Sequence, residues 1–177
     1  MKFFLENKKA LIFLLTFVGV YLVLNTIYAL YIGRYYPASD PITQWVSDIV
    51  VGFLSLFDAS INSFPSLFSE YIPIANDREN MIYVFEGCNG LNVMIVYFSF
   101  LVAFRGPVRL FVGYAISGII LVFILNIARI ALLYGVAFYF PEQLYFFHKY
   151  FFTATIYAVV FLLWYFWVKQ VRKLQGE

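Results

Sequence analysis

Three side chains stand where this sequence has little polarity to spare. Cys88 lies in Phe85-Glu86-Gly87-Cys88-Asn89-Gly90-Leu91-Asn92-Val93, Arg129 in Asn126-Ile127-Ala128-Arg129-Ile130, and His148 just ahead of Lys149-Tyr150. Cys88 is the only cysteine and His148 the only histidine. The three types supply a nucleophile, a fixed cation and a proton carrier. A thiol at a helix start feels the positive end of the dipole, and a nearby guanidinium lowers its pKa further, raising the thiolate fraction. Such a thiolate can attack a peptide carbonyl to give a thioester, with Arg129 stabilising the thiolate or the developing oxyanion. His148 can then protonate the leaving amine and deprotonate the incoming nucleophile. Gly87 and Gly90 flank the thiol and leave room for a substrate backbone. Asn92, one turn beyond Cys88, and Asn126, three residues before Arg129, are spaced to orient those neighbours by hydrogen bonding.

Taken singly, a lone Cys is commonly a small buried hydrophobe and a lone His a polar cap on an apolar stem. Arg129 is harder to dismiss. A cation inside an apolar segment is costly and is normally functional or paired, and its own segment offers no acid.

The chain must bring these residues together within a strongly apolar frame. It is 63% hydrophobic and 12% charged over 177 residues, more apolar surface than a soluble globule of that size hides, which reads as an all-α integral membrane protein. A hydrocarbon core about 30 Å thick needs roughly 17 to 25 helical residues, and four segments are read as spans: 10–32, 88–105, 110–136 and 150–168. The second reaches that length only by taking in Cys88 and letting Arg105 snorkel. The first follows Lys8 and Lys9 but is long and lacks a small-residue cleavage site, so it reads as a retained anchor.

Cations set the orientation. Lys2, Lys8 and Lys9, Arg105 and Arg109, and Lys169, Arg172 and Lys173 all fall on one side of a four-span topology. Arg34, Arg78 and Lys149 fall on the other, with Asp40, Asp48, Asp58, Glu70, Asp77, Glu79, Glu86 and Glu142. Both termini and the 169–177 tail are therefore expected in the cytoplasm, with 33–87 and the 137–149 loop outside. At 1.5 Å per residue, Cys88 is about 26 Å from Arg105, Arg129 about 28 Å from Leu110 and His148 about 30 Å from Lys169. The three then share one depth, near the outer surface.

In the outer region, Ile42, Trp45, Val46, Ile49, Val50, Phe53, Leu54 and Phe57 recur at helical spacing over 41–58. Asp40 suits the N-cap and Pro41 the first helical position. The helix is amphipathic, with Thr43, Gln44, Ser47 and Asp48 on its polar face, and is expected to lie along the membrane surface as a cover for the bundle. Residues 59–70 read as a loop. The β-prone runs 71–75 and 81–85 suggest a short hairpin leading into Cys88. No repeat or separate domain is evident, so 1–177 is one membrane domain.

Glu86-Gly87-Cys88-Asn89-Gly90-Leu91-Asn92 resembles the Cys-Ser/Asn-Gly motif of the exosortase/archaeosortase family, and Asn126-Ile127-Ala128-Arg129-Ile130 its Asn-x-x-Arg-Ile/Val motif. His148 matches the histidine of the following outer loop. The overlap covers roughly 71–168, and the single leading anchor resembles the short, dedicated members. The resemblance implies a membrane-embedded cysteine transpeptidase in a prokaryotic cytoplasmic membrane, with its site at the outer face. It would recognise C-terminal sorting signals of exported proteins, built of a short motif such as Pro-Glu-Pro, an apolar helix and a basic tail, and pass the cleaved target to an envelope acceptor. Cys88 is then the nucleophile, Arg129 the electrostatic partner and His148 the proton-transfer residue.

A competing reading from another class is a noncatalytic membrane scaffold or assembly factor, with Cys88 as filler in a bundle holding 22 Phe and 15 Tyr. One Cys and one His are too few ligands for a zinc site, so no metal or other cofactor is expected. Nucleotide loops and nucleic-acid motifs are absent. The expected partners are the lipid bilayer, the sorting signals and the acceptor, with no nucleic acid.

Overall fold

A 26-residue helix, α1 (Lys8–Gly33), opens the fold. It is apolar on every side and has no buried residue, as expected of a helix whose solvent is lipid. Two of its polar groups fold back onto its own backbone: Thr26 Oγ1 donates to the Leu22 carbonyl (2.8 Å) and Asn25 Nδ2 to that of Tyr21 (3.3 Å). The computed structural model describes residues 8–77 and 80–176. Lys2, Arg78 and Glu79 of the charge asymmetry, and Glu177 of the tail, lie outside them.

The amphipathic helix, α2 (Pro41–Leu54), starts where the capping chemistry puts it. Asp40, in extended geometry, accepts hydrogen bonds from the Ile42 and Thr43 amides at 3.0 and 3.1 Å, and Pro41 opens the helix. It ends at Leu54, short of residue 58, in a turn. The buried stripe is Thr43, Val46, Ser47, Val50 and Leu54, so Thr43 and Ser47 face inward instead of standing on a polar outer face. Their hydroxyls can be buried because they are satisfied locally, Ser47 on the Thr43 carbonyl (2.9 Å) and Thr43 on Asp40. Of its other apolar residues, Trp45 and Phe53 are exposed: Trp45 is more than half exposed and stacks on Phe123 of a later helix, with ring centroids 5.1 Å apart.

Three short strands follow in the order β1 (Asn62–Ser63), β2 (Ile72–Ala75), β3 (Asn80–Val84), all antiparallel. Ile72 faces Val84 and Ile74 faces Ile82 across the β2–β3 pair. These four side chains are buried while Tyr83 points outward, the alternation of a half-buried sheet. β1 falls in the stretch read from sequence as loop.

After a 3-10 turn (Glu86–Cys88) come α3 (Leu91–Ala103) and α4 (Val108–Tyr139). Gly90, left-handed at φ +84°, stops α3 from reaching back to Cys88, so the expected span 88–105 is a helix of 13 residues, about 20 Å long. The last helix, α5 (Pro141–Gln175), begins with a 3-10 turn, carries a π segment at Phe147–Phe151 and is regular from Phe152. The 137–149 stretch is thus helical, not loop: its sole strong breaker, Pro141, sits at a helix start where proline is tolerated, and the interruption shrinks to Phe140. α1, α4 and α5 are long and apolar enough to cross a membrane; α3 is shorter.

Two cores result. One joins α2, the sheet and Cys88 to the second half of α4 through Val46, Ile74, Val84, Ile130 and Tyr134. The other, at the opposite end of α3, packs Tyr97 and Leu101 against Val122 of α4 and Val160 and Trp167 of α5. α1 lies against α3, with Phe13 edge-on to Phe100 at 5.4 Å.

Candidate active site

The chain enters the site from β3 through Phe85, extended at φ −141°, ψ 177°, and tightens into the 3-10 turn as the Cys88 amide donates to the Phe85 carbonyl (2.7 Å). Three elements hold this turn. Asn126 Nδ2 of α4 donates to the Cys88 carbonyl at 2.8 Å, so the side chain expected to orient Arg129 binds the backbone of Cys88 instead. Asn89 is fully buried, accepts from the Leu91 amide (3.0 Å), and donates through Nδ2 to Tyr28 Oη of α1 (2.7 Å) and Thr43 Oγ1 of α2 (3.0 Å). Tyr28 Oη in turn donates to the Glu86 carbonyl (3.1 Å). The buried carboxylate of Asp40 completes the chain on Thr43.

Gly90 serves this turn twice. Its φ is one that L side chains rarely adopt, and a Cβ there would stand 3.0 Å from Asn126 Cγ, against the amide that holds Cys88. A Cβ on Gly87 would meet the Phe85 ring. Asn92 is exposed on the first turn of α3 and makes no hydrogen bond to Cys88, because the spacing that would align the two requires a helix continuous through Gly90.

Arg129 comes from α4 and His148 from the π segment of α5. Arg129 Nη2 lies 3.5 Å from His148 Nε2, at the outer limit of a hydrogen bond. A guanidinium can only donate, so in this contact Nε2 is the accepting nitrogen. Arg129 Nε is buried with no hydrogen-bond partner among the described residues. The π segment widens the turn at His148, whose carbonyl accepts from Thr153 Oγ1 five residues on (3.1 Å).

Cys88, Arg129 and His148 line one cavity of about 340 Å³, together with Tyr83, Leu144 and Tyr145 among others, and no carboxylate among the described residues lines it. The thiol is 6% exposed. Burial pushes its pKa up; a backbone hydrogen bond at Phe85 and the Arg129 guanidinium pull the other way, and Glu86 adds to the rise. The net direction is upward, against the expectation of a thiol depressed by helix dipole and arginine, because burial of the side chain outweighs the guanidinium. Among the described residues no group of three or more His, Cys, Asp or Glu side chains could hold a metal ion.

Asn89, Tyr28, Thr43 and Asp40 are the site residues that sequence reasoning missed. Asn89 adjoins the thiol and was visible there, but its partners lie 46 and 61 positions away and only folding brings them near.

The sequence model of the transmembrane exosortases (Exosortase_EpsH) matches residues 5–167. Neither the curated proteins nor the solved structures include a match to the chain.

Proposed function

The chain belongs to the transmembrane exosortase family, and from that membership we propose that it is a membrane-embedded cysteine transpeptidase. It cleaves C-terminal tripartite sorting signals of exported proteins through a thioester on Cys88 and transfers them to an envelope acceptor. The observation that carries this reading is the single cavity into which Cys88, Arg129 and His148 converge from three distant parts of the chain.

The resting thiol is protonated near neutral pH, since burial raises its pKa. Attack on the scissile carbonyl therefore needs a base at the moment of reaction, a role for which His148 is the candidate within the cavity. The Sγ–C bond forms as the peptide C–N bond breaks, and the thiol proton passes by way of His148 to the leaving amine. An acceptor amine or water then attacks the thioester carbonyl and yields its proton to His148, and the released sulfur takes that proton back. Arg129, with no partner at Nε and no carboxylate beside it in the cavity among the described residues, supplies fixed positive charge for the oxyanion of both steps.

The topology that goes with this reading has four crossings, α3 being a short one, and both termini inside. Lys9, Arg105 and Arg172 border one groove at the far end of α3 from Cys88, which supports a cationic inner end opposite the site. The test is co-expression with a target bearing such a signal. Cys88→Ala should leave the protein in the membrane and the target uncleaved; continued cleavage refutes the mechanism.

One observation favours a noncatalytic scaffold instead: the thiol is nearly covered and shifted away from reactivity. A scaffold cysteine would resist a membrane-impermeant alkylating reagent, whereas a thiol served by an open cavity reacts.

A further inference from the structure

At the end of the bundle away from Cys88, a second recess of about 780 Å³ lies between the start of α1, the turn after α3 and the last turns of α5. Its polar rim carries Lys9, Arg105 and Arg172, and its walls include Phe13, Phe104 and Val168. No carboxylate among the described residues lines it, and none of the three cations makes an ion pair among them. A rim of one sign over an aromatic and aliphatic wall is the surface of neither a water-filled pore nor a simple lipid-facing helix.

Two features make this a built recess and not a chance crowding of surface charge. The turn bearing Arg105 is pinned: Trp167 Nε1 donates to the Phe104 carbonyl at 3.0 Å, and Trp167 is itself fully buried. Phe104 and Phe100 stack parallel with centroids 6.2 Å apart, and Phe13 of α1 packs edge-on to both. Lys9 meanwhile stands in the first turn of α1, at the positive end of its dipole, with no acid in that turn to offset it.

We infer that this recess binds an anionic phospholipid, its phosphate at the Lys9–Arg105–Arg172 rim and an acyl chain along Phe13, Phe104 and Val168. Basic recesses between membrane helices recognise lipid headgroups in this way, each cation adding to the attraction near the surface. The bound lipid would fasten α1, which has no buried residue of its own, to α3 and α5. The inference rests on membrane placement and not on the catalytic reading, so the two can fail separately.

The test uses the full chain in nanodiscs of phosphatidylcholine alone or with phosphatidylglycerol added, reading Tm and lipid retention by native mass spectrometry. Phosphatidylglycerol should raise Tm and be retained in preference to phosphatidylcholine. The triple variant Lys9→Gln, Arg105→Gln, Arg172→Gln should weaken retention on the order of a hundredfold, from the loss of three headgroup cations. The control Arg109→Gln, Lys169→Gln, Lys173→Gln removes equal charge outside the recess and should keep both effects. Equal losses in the two variants would overturn the inference, as would equal stabilisation by inorganic phosphate without the lipid. A gain in Tm that follows protein concentration instead of lipid would assign the recess to a second copy of the chain. Should the triple variant fail to fold, retention by the unaltered protein decides alone: no preference for phosphatidylglycerol sinks the idea.

Discussion

Replacing Asn89 by Ala would loosen the Cys88 turn without touching the thiol. The amide makes three hydrogen bonds, to Tyr28 Oη, Thr43 Oγ1 and the Leu91 amide, in a fully buried position. The hydroxyls of Tyr28 and Thr43 keep second partners on the Glu86 carbonyl and Asp40, so their loss is partial. The Leu91 amide loses its side-chain acceptor. At roughly 1 kcal/mol net for each bond, with the Leu91 amide at the upper end, the turn should open more easily by about 3 kcal/mol. Cys88 is the only cysteine and is nearly covered, so it reports that opening itself. If labelling by a bulky thiol reagent requires the turn to open, the rate should rise on the order of a hundredfold, since about 1.4 kcal/mol is tenfold. The ratio of variant to parent rates should stay constant across pH, because opening and not thiol ionisation has changed. A change of less than about threefold would show that Asn89 does not restrain the turn. A ratio that varies with pH would show that it acts on the thiol's charge.

Two further outcomes follow from other parts of the structure. Arg129→Leu removes a cation that holds the Cys88 pKa down, so the pH midpoint of alkylation by a small reagent should move upward from its already raised position, with less thiolate at any neutral pH; a downward or absent shift contradicts the assigned electrostatics. Gly118→Val would drive a Cβ into the phenol of Tyr97, whose Oη is held on the Tyr114 carbonyl at 2.7 Å, and should lower Tm by an amount equivalent to roughly 1 to 3 kcal/mol. Tyr97→Leu in the same background removes the Oη, Cζ and Cε1 atoms that the added Cβ would meet and should recover part of that loss, and failure to recover it would place the strain elsewhere.

Local chemistry made some of this readable from one sequence. The Asp40-Pro41 start of α2 needs no distant partner, since capping is decided within four residues. Which face of that helix goes inward was not readable, because Thr43 and Ser47 look polar until their hydroxyls are satisfied by Asp40 and the Thr43 carbonyl. Residues 137–149 read as loop from the sequence, yet Pro141 stands at a helix start, where proline is tolerated, and the backbone coils on through Glu142 and Lys149. The start of α3 is hidden for a related reason: it depends on one dihedral, at Gly90, and glycine permits both outcomes.

The sequence alone determined that this is a mostly helical membrane protein of the exosortase family, because hydrophobic length and short motifs are properties of contiguous residues. Only the tertiary structure decided that Cys88, Arg129 and His148 line one cavity and that Asn89 and Asn126 clasp the thiol's turn. It also decided that the thiol is shifted up and not down. A pKa is set by what surrounds the charge, and here the covering atoms come from elements brought in across the fold: desolvation by them outweighs the cation that the sequence advertises.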